Sequence, residues 1–511
     1  MGHNVRNIGR LFNIARILAR HDALMLLEHL EVGGPAVILA RLFSRKCKGR
    51  PGQRLAAALQ ETGPSFIKLG QALSTRSDLL GEEFSTDLSQ LQDSLAPFPA
   101  AQARATIEAE FSKNIEELFT KFEDVPVAAA SIAQVHFAVT RDGREVAVKV
   151  LRPNVEIAFQ RDIDLFLWIA KLVESAKPEY RRLRPVETIN TLAESIKLEM
   201  DLRFEAAAAA ELAENMKDVE GFNVPTINWQ LTGQRVLTSE RVHGIPIDDI
   251  IALKAAGHNT SDLLEKSARA FFIQVFHYGF FHADMHPGNM FVRSDGGLAA
   301  VDFGIMGRLD KKTRRHLGEL LMAFLTRNYR RAAEVHFEAG WIPQEQSVNT
   351  FAQACRAIAE PILDLPQNEI SIARLLGLLF SISDTFKMET QPQLLLLQKT
   401  MLTAEGTGRK LNPEANMWMM SKPLIEDWMI HNLGPEARII DGTRDIAHAV
   451  QRLPRLLESL DKGAEELTKR YSSLHHNTNH DIRQEGRFDI VFFLFIIAGM
   501  VFGSWLTTFL S

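Results

Sequence analysis

The chain has 511 residues, enough for several domains, each with a full core. Its 58 Lys and Arg against 63 Asp and Glu leave a net charge of −5, which argues against a nucleic-acid binder with a uniformly basic surface. With only Cys47 and Cys355, a disulfide framework and a Cys-rich zinc module are excluded, and 46% hydrophobic with 24% charged residues excludes wholesale disorder.

Residues 1–54 are basic, with ten Lys or Arg against three acids. Ile8, Leu11, Phe12, Ala15 and Leu18 recur at helical spacing, and Arg6, Arg10, Arg16 and Arg20 fall off that stripe. Such a helix either packs on the rest of the protein or lies on an anionic membrane surface. No secretory signal is expected. Residues 55–125 read as helical, with breaks at Gly63-Pro64 and Pro97–Pro99. The run EVAVKVL alternates and ends at Arg152-Pro153, which predicts a strand over 145–151. A helical block follows over about 155–218, then strand-like pieces over 224–242, then helix to about 278. Phe291 to Val301 predicts two short strands around the turn Asp295-Gly296-Gly297. Residues 311–470 are almost all helical in pattern, and His475, His476 and His480 sit in a polar linker over 471–487. Ile490 to Leu510 is 21 residues without a charge, long enough for one membrane-spanning helix. Arg483 and Arg487 just before it would keep the bulk of the chain cytoplasmic.

The chemistry is written most densely in His282-Ala283-Asp284-Met285-His286-Pro287-Gly288-Asn289, followed by Asp302-Phe303-Gly304. Asp284 and Asn289 have the D-x-x-x-x-N spacing of a kinase catalytic loop, and a strand–turn–strand carries the chain on to Asp302. A triphosphate is densely anionic, so Mg²⁺ must screen it, and Mg²⁺ prefers oxygen ligands. Asp302 offers a carboxylate and Asn289 an amide oxygen. Asp284 is placed to orient an attacking hydroxyl or water, or to take its proton. Phe303 reads as packing.

Upstream, Val146-Ala147-Val148-Lys149 matches V-A-I-K on the predicted strand, and Lys149 would contact the nucleotide phosphates. Its carboxylate partner is expected on the helix LAESIKLEMDLRFEAAAAAEL, at Glu199 first and Glu205 second, with Asp201 between them. Where a protein kinase has a Gly-rich loop, this chain has Ala128-Ala129-Ala130-Ser131 and then Ile132 to His136. Alanine resists the φ > 0 conformations that glycine adopts, so this loop should be stiff. Glu240 to Val242, after the strand at 235–242, falls where a hinge would touch adenine.

In these features the chain resembles the UbiB/ADCK atypical kinases, which are tied to ubiquinone biosynthesis. The alanine-rich loop is one mark. The others are Lys68-Leu69-Gly70-Gln71, matching the family's K-x-G-Q element, and Glu199-Met200-Asp201, matching its E-x-D element. The resemblance covers roughly residues 60–310 by motif. It departs at Ala133, where many relatives have glycine, and in showing one membrane segment where bacterial relatives often show two. It implies that the K-x-G-Q segment folds over the kinase core, that Lys68 and Gln71 face the nucleotide site, and that ordinary protein-kinase activity is inhibited. Spacing alone leaves Lys68 free to pair with Glu199, Glu205 or a phosphate.

The expected architecture is α+β: a two-lobed protein-kinase-like fold with an N-terminal helical K-x-G-Q extension and a C-terminal transmembrane helix. Its segments would be a helical extension over 1–124, an N-lobe over 125–243, a helical C-lobe over 244–470, a linker, and an anchor over 488–511. The expected function is that of a membrane-anchored atypical kinase or ATPase using ATP and Mg²⁺ and supporting ubiquinone biosynthesis. Catalysis would fall to Asp284, Lys149 and Glu199, nucleotide contact to Ala128, Ala129, Ala130, Ser131, Lys149, Glu240 and Val242, and metal binding to Asn289 and Asp302. Lys68, Gln71, Asp201 and Glu205 would regulate. Expected partners are membrane lipid, polyprenyl quinone precursors and the enzymes that process them, at the inner membrane. Two alternatives stand beside this: a lipid or small-molecule phosphotransferase with Asp284 as base, and a nucleotide-binding scaffold without turnover. Direct hydroxylation is not expected, because there is neither a G-x-G-x-x-G after a strand nor a 2-His-1-carboxylate cluster.

Overall fold

The computed structural model describes residue 10 and residues 13–23, 47–74, 82–89, 91, 96–176, 185–363, 370–388, 391–415 and 423–429. The linker at 471–487 and the expected anchor at 488–511 lie outside the described residues. Among the described residues no helix is long and apolar enough to cross a membrane.

Helix α1 (13–20) buries Ile14, Ala15, Ile17 and Leu18 against Leu55, Leu59, Phe66 and Phe166. Two arginines of its basic flank are paired within the protein: Arg10 with Asp162 and Arg20 with Glu61. Ala15 and Leu18 of the expected stripe therefore lie on a core face, whereas Arg6, Ile8, Leu11 and Phe12 lie outside the described residues. Helices α2 (Pro51–Thr62), α3 (Pro64–Ser74) and α4 (Glu82–Ser89) complete that core. Helix α3 carries Lys68 and Gln71. Its Gly70 is needed for packing, since a Cβ there would collide with the side chains of Leu91 and Leu59.

Helix α5 (Ala100–Phe111) opens the next layer and packs Ala103 and Ile107 on an antiparallel sheet. The sheet runs β1 (Phe119–Phe122), β3 (Ala133–Thr140), β4 (Glu145–Leu151), β6 (Val236–Glu240), with β2 (Ala128–Ala129) paired to β3. Strand β4 coincides with the predicted strand. Strand β1 falls in a stretch that reads as helical, because four residues are too few to show a period. The side chains of β4 alternate. Val146, Val148 and Val150 are buried against α5, while Ala147 and Lys149 point to the other face. Register sets Lys149 opposite Val135 on β3 and Leu237 on β6.

The helical block is three helices: α6 (Val155–Ala176), α7 (Pro185–Glu199) and α8 (Leu202–Met216). The chain breaks between α7 and α8, where Asp201 caps α8 by accepting the Arg203 N–H. Leu202, Ala206, Ala209, Leu212 and Met216 are the buried face of α8. Further on, β5 (Phe222–Asn223), β10 (Leu298–Ala300), β9 (Met290–Val292) and β7 (Ile245–Pro246) form a second sheet in that order, and β8 (Phe280–His282) pairs with β11 (Met306–Arg308). Strands β9 and β10 are the two short strands expected around the Asp295 turn.

The remainder is helical. Helix α9 (Thr260–Phe272) runs into a π-type turn, Ile273–Tyr278. Helices α10 (Lys311–Leu325), α11 (Tyr329–Glu338), α12 (Val348–Leu363), α13 (Ile372–Ser381) and α14 (Pro392–Leu411) share one large core with α9 and the second sheet.

Candidate active site

A cavity of about 2480 Å³ opens between the first sheet, α3, α7, α8, the loops after β8 and β10, and α14. Every site residue expected from the sequence lines it except Ser131. Ser131 is fully buried in the turn between β2 and β3, so its hydroxyl does not face the cavity.

The alanine loop is a tight hairpin. Ala128 pairs with Val135, Ala129 with Gln134, and the Ala130 N–H donates to the Ala133 carbonyl at 2.7 Å. None of these residues has φ > 0, so the turn suits alanine. Arg152, at the end of β4, ties the loop down. Its Nη2 donates to the carbonyls of Ala130 at 3.1 Å and Ala96 at 2.8 Å, and its N–H to Ile132 at 2.8 Å. In the sequence Arg152-Pro153 reads only as a strand stop. Its tethering role has no motif, since its acceptors are backbone carbonyls.

At the centre, Lys149 Nζ lies 2.8 Å from Glu205 Oε1 and 2.9 Å from Asp302 Oδ1. Glu199, the first choice as its partner, instead holds Lys68, at 3.0 Å. The helix break explains the correction. Glu199 ends α7 and turns toward α3, whereas Glu205 lies one turn into α8 under the sheet. The K-x-G-Q lysine is thus paired across the cavity wall, and Gln71 lines the same wall. Asp201 is the N-cap that starts the helix carrying Glu205, and Arg203 grips its carboxylate at 2.6 and 2.8 Å.

These charges set one another. Burial opposes the Lys149 charge, but Asp302 and Glu205 outweigh it and hold the ammonium above the ordinary lysine range. Lys149 pulls Asp302 well below the usual carboxylate range. Burial, with help from the Asp302 charge, pushes Glu205 up against the pull of Lys149. One ammonium faces two carboxylates, so Asp302 keeps the negative charge and Glu205 is the first to accept a proton.

Asp302 sits at φ 61°, a left-handed conformation that aspartate tolerates better than most residues, and the Gly304 N–H points at its Oδ1 from 3.4 Å. Asn289 Nδ2 donates to the Asp284 carbonyl at 3.0 Å and lies 3.4 Å from its Oδ2. This engages the amide nitrogen and leaves the Asn289 Oδ1 for a cation. His282 braces the two loops from beneath. Its Nδ1 accepts the Asp284 N–H at 3.1 Å, so its Nε2 carries the proton and donates to the Val301 carbonyl at 3.1 Å. Burial lowers the His282 pKa and keeps the ring neutral. Phe303 packs edge-on to His282, centroids 5.5 Å apart, as expected for a packing residue. The sequence does not announce the bracing by His282, although its spacing to Asp284 is in the motif.

The donor set around Asp302 is all oxygen: its own carboxylate, the Asn289 amide and the Asp284 carboxylate. Among the described residues no group of three or more His, Cys, Asp or Glu gathers as a metal cluster. The Asp302 and Asn289 oxygens suit a Mg²⁺ that takes its other ligands from phosphate and water. At the far end, Glu240 and Val242 line the cavity, and among the described residues no protein acceptor takes the Val242 N–H. A purine edge fits that donor.

Residues 90–336 match the ABC1 atypical kinase-like domain, and residues 355–416 match the UbiB helical domain. The chain is 40% identical over 506 residues to a probable protein kinase UbiB of Marinobacter nauticus, covering 96% of this chain and 92% of that one. It is 42% identical over 419 residues to one from Shewanella baltica, covering 81% and 76%. It is 39% identical over 490 residues to one from Vibrio atlanticus, covering 93% and 90%. Among solved structures it is similar to a complex of Rv3197 with erythromycin from Mycobacterium tuberculosis, with a TM-score of 0.50 and 25% identity over 73% of this chain and 95% of that one. The fold is a kinase-like α+β fold with a UbiB helical domain, and the kinase-like domain implies use of ATP. The chain belongs to the UbiB family of ABC1 atypical kinase-like proteins.

Proposed function

We propose that this protein binds ATP with Mg²⁺ in the cavity and turns it over as an atypical kinase or ATPase in support of ubiquinone biosynthesis. The observation that carries the reading is the cluster in which Lys149 is held by Glu205 and Asp302 beside Asn289 and Asp284. Lys149 would give up its contact with Asp302 and neutralise nucleotide phosphate, while Glu205 keeps the ammonium in place. Asn289 and Asp302 would hold Mg²⁺, which supplies screening of phosphate charge when bound. Asp284 orients the attacking hydroxyl or water and takes its proton. The paired Lys68 and Glu199 keep α3 where a protein acceptor would enter, which disfavours phosphorylation of protein substrates.

The family supports the pathway, and the uncharged run at residues 490–510, read from the sequence as a single anchor with Arg483 and Arg487 before it, supports a place at the cytoplasmic face of the inner membrane. Polyprenyl quinone precursors are confined to that membrane, since each buried CH₂ holds them there by about 0.8 kcal/mol. A second reading is transfer of phosphate to a lipid phenol. The size of the cavity favours it: about 2480 Å³ exceeds the roughly 300–1,000 Å³ typical of small-molecule sites. Exposed Leu198, Phe204 and Leu402 also line it. ATP labelled at the γ-phosphate, incubated with the full chain, anionic vesicles and a polyprenylphenol mimic, separates the two. Release of labelled phosphate to water supports the ATPase, and label on the phenol supports transfer. Neither product, or turnover unchanged in Asp284→Asn, would sink both.

A further inference from the structure

The catalytic loop is held from a direction that no motif announces. Thr400 lies on α14, within the UbiB helical domain, and is buried. Its Oγ1 is 2.9 Å from the Ala283 carbonyl and 2.8 Å from the Leu396 carbonyl. A hydroxyl has one proton, so these two acceptors compete for it. The Leu396 carbonyl lies inside α14, four residues back, where the helix supplies it with the Thr400 N–H. Ala283 is buried, and among the described residues no loop backbone N–H reaches its carbonyl. Leaving a buried carbonyl unpaired is the costlier outcome, so the proton belongs to Ala283.

We infer that Thr400 is a positioning residue for Asp284, and that the helical domain sets the catalytic geometry through this one hydroxyl. The inference rests on the nucleotide-turnover reading above. The peptide between Ala283 and Asp284 is gripped at both ends: Thr400 holds its oxygen and His282 Nδ1 holds its N–H. On the preceding side, the Ala283 N–H donates to Ile305, just past Asp302-Phe303-Gly304. Rotation of that peptide plane changes ψ at Ala283 and φ at Asp284, the torsions on either side of the plane that set how Asp284 presents its carboxylate. Helix α14 is itself anchored. Glu405 accepts the Ala373 N–H at 3.2 Å at the start of α13, and Gly408 packs so closely on α9 that a Cβ would sit 2.9 Å from Leu264. A shift of α14 therefore reaches Asp284 as a turn of one peptide.

The test uses the full chain with Thr400→Val, which keeps shape and removes the hydroxyl, and Thr400→Ser, which keeps the hydroxyl. Thr407→Val is the control, because among the described residues that buried threonine bonds only within its helix, to the Thr403 carbonyl. For Thr400→Val, kcat for ATP should fall about 10- to 100-fold, as small misplacements of a reacting group do. Nucleotide affinity should stay within about twofold, and Thr400→Ser should restore most of kcat. Amide exchange across residues 282–289 should speed up about tenfold in Thr400→Val and not in Thr407→Val, while residues 145–151 exchange as before. Exchange at 282–289 unchanged in Thr400→Val overturns the inference, as does Thr400→Ser no better than Thr400→Val. If the unsubstituted protein turns over no ATP, the turnover reading fails, and the exchange experiment still decides the role of Thr400.

Discussion

Replacing Lys149 with methionine isolates what its ammonium does for the folded protein. The side chain is 15% exposed and Glu205 is 8% exposed, so their contact at 2.8 Å is shielded from water. Asp302 is 47% exposed and loses less when the cation goes. Removing one partner of a buried ion pair costs about 3–5 kcal/mol, and the exposure of Asp302 puts this site near the lower end. The cost depends on pH in a defined direction. With Lys149 present, Asp302 is depressed, so its contribution exists above the ordinary aspartate range and fades as pH falls. Without Lys149, the buried Glu205 faces the Asp302 charge with no cation between them, and its carboxyl is raised further. A raised carboxyl is harmless while protonated and destabilises as pH climbs through its folded value. Lys149→Met should therefore already lie below the unsubstituted protein at pH 5, where Asp302 still carries its charge, and fall further, to about 3 kcal/mol below it, at pH 8. Urea unfolding without nucleotide at the two pH values reads this directly. Adding Glu205→Gln to Lys149→Met should recover part of the loss at pH 8. A gap equal at both pH values, or one that widens toward acid, would refute the shared-cation argument.

Gly70→Ala should cost about 1–3 kcal/mol of stability, because the new methyl must displace Leu91 and Leu59; an unchanged melting temperature would contradict the packing. Arg152→Ala should speed amide exchange at Ala130 and Ala133 about tenfold, the equivalent of one hydrogen bond from a charged donor. Identical exchange there would show that the alanine loop does not need its tether.

The parts of the site that lie on short-range geometry were legible from the sequence. Strand alternation put Lys149 on the cavity face of β4, and the turn between β9 and β10 delivered Asp302 beside Asn289. Glu199 and Glu205 were ranked in the wrong order as partners of Lys149. The ranking depended on a helix break at Asp201, and an E-M-D-L run on a helix-rich segment does not advertise one. Ser131 was misplaced because a two-residue strand, β2, turned it inward. Strand β1 was hidden by its length. Arg152 and Thr400 were invisible for a different reason. Each acts on a backbone carbonyl, and Thr400 reaches across 117 residues to do so, where no side-chain pattern marks the acceptor.

The central claim is that a magnesium nucleotide is held by Lys149 and Asp302 in the cavity beneath the alanine loop. Calorimetric titration of the full chain with Mg²⁺ and a non-hydrolysable ATP analogue tests it most directly, with Asp302→Asn alongside. One saturable site should appear, weakened at least about tenfold by the substitution or by chelating the metal, in keeping with the loss of a charged ligand. Equal affinity in both proteins, or affinity indifferent to Mg²⁺, would contradict the account.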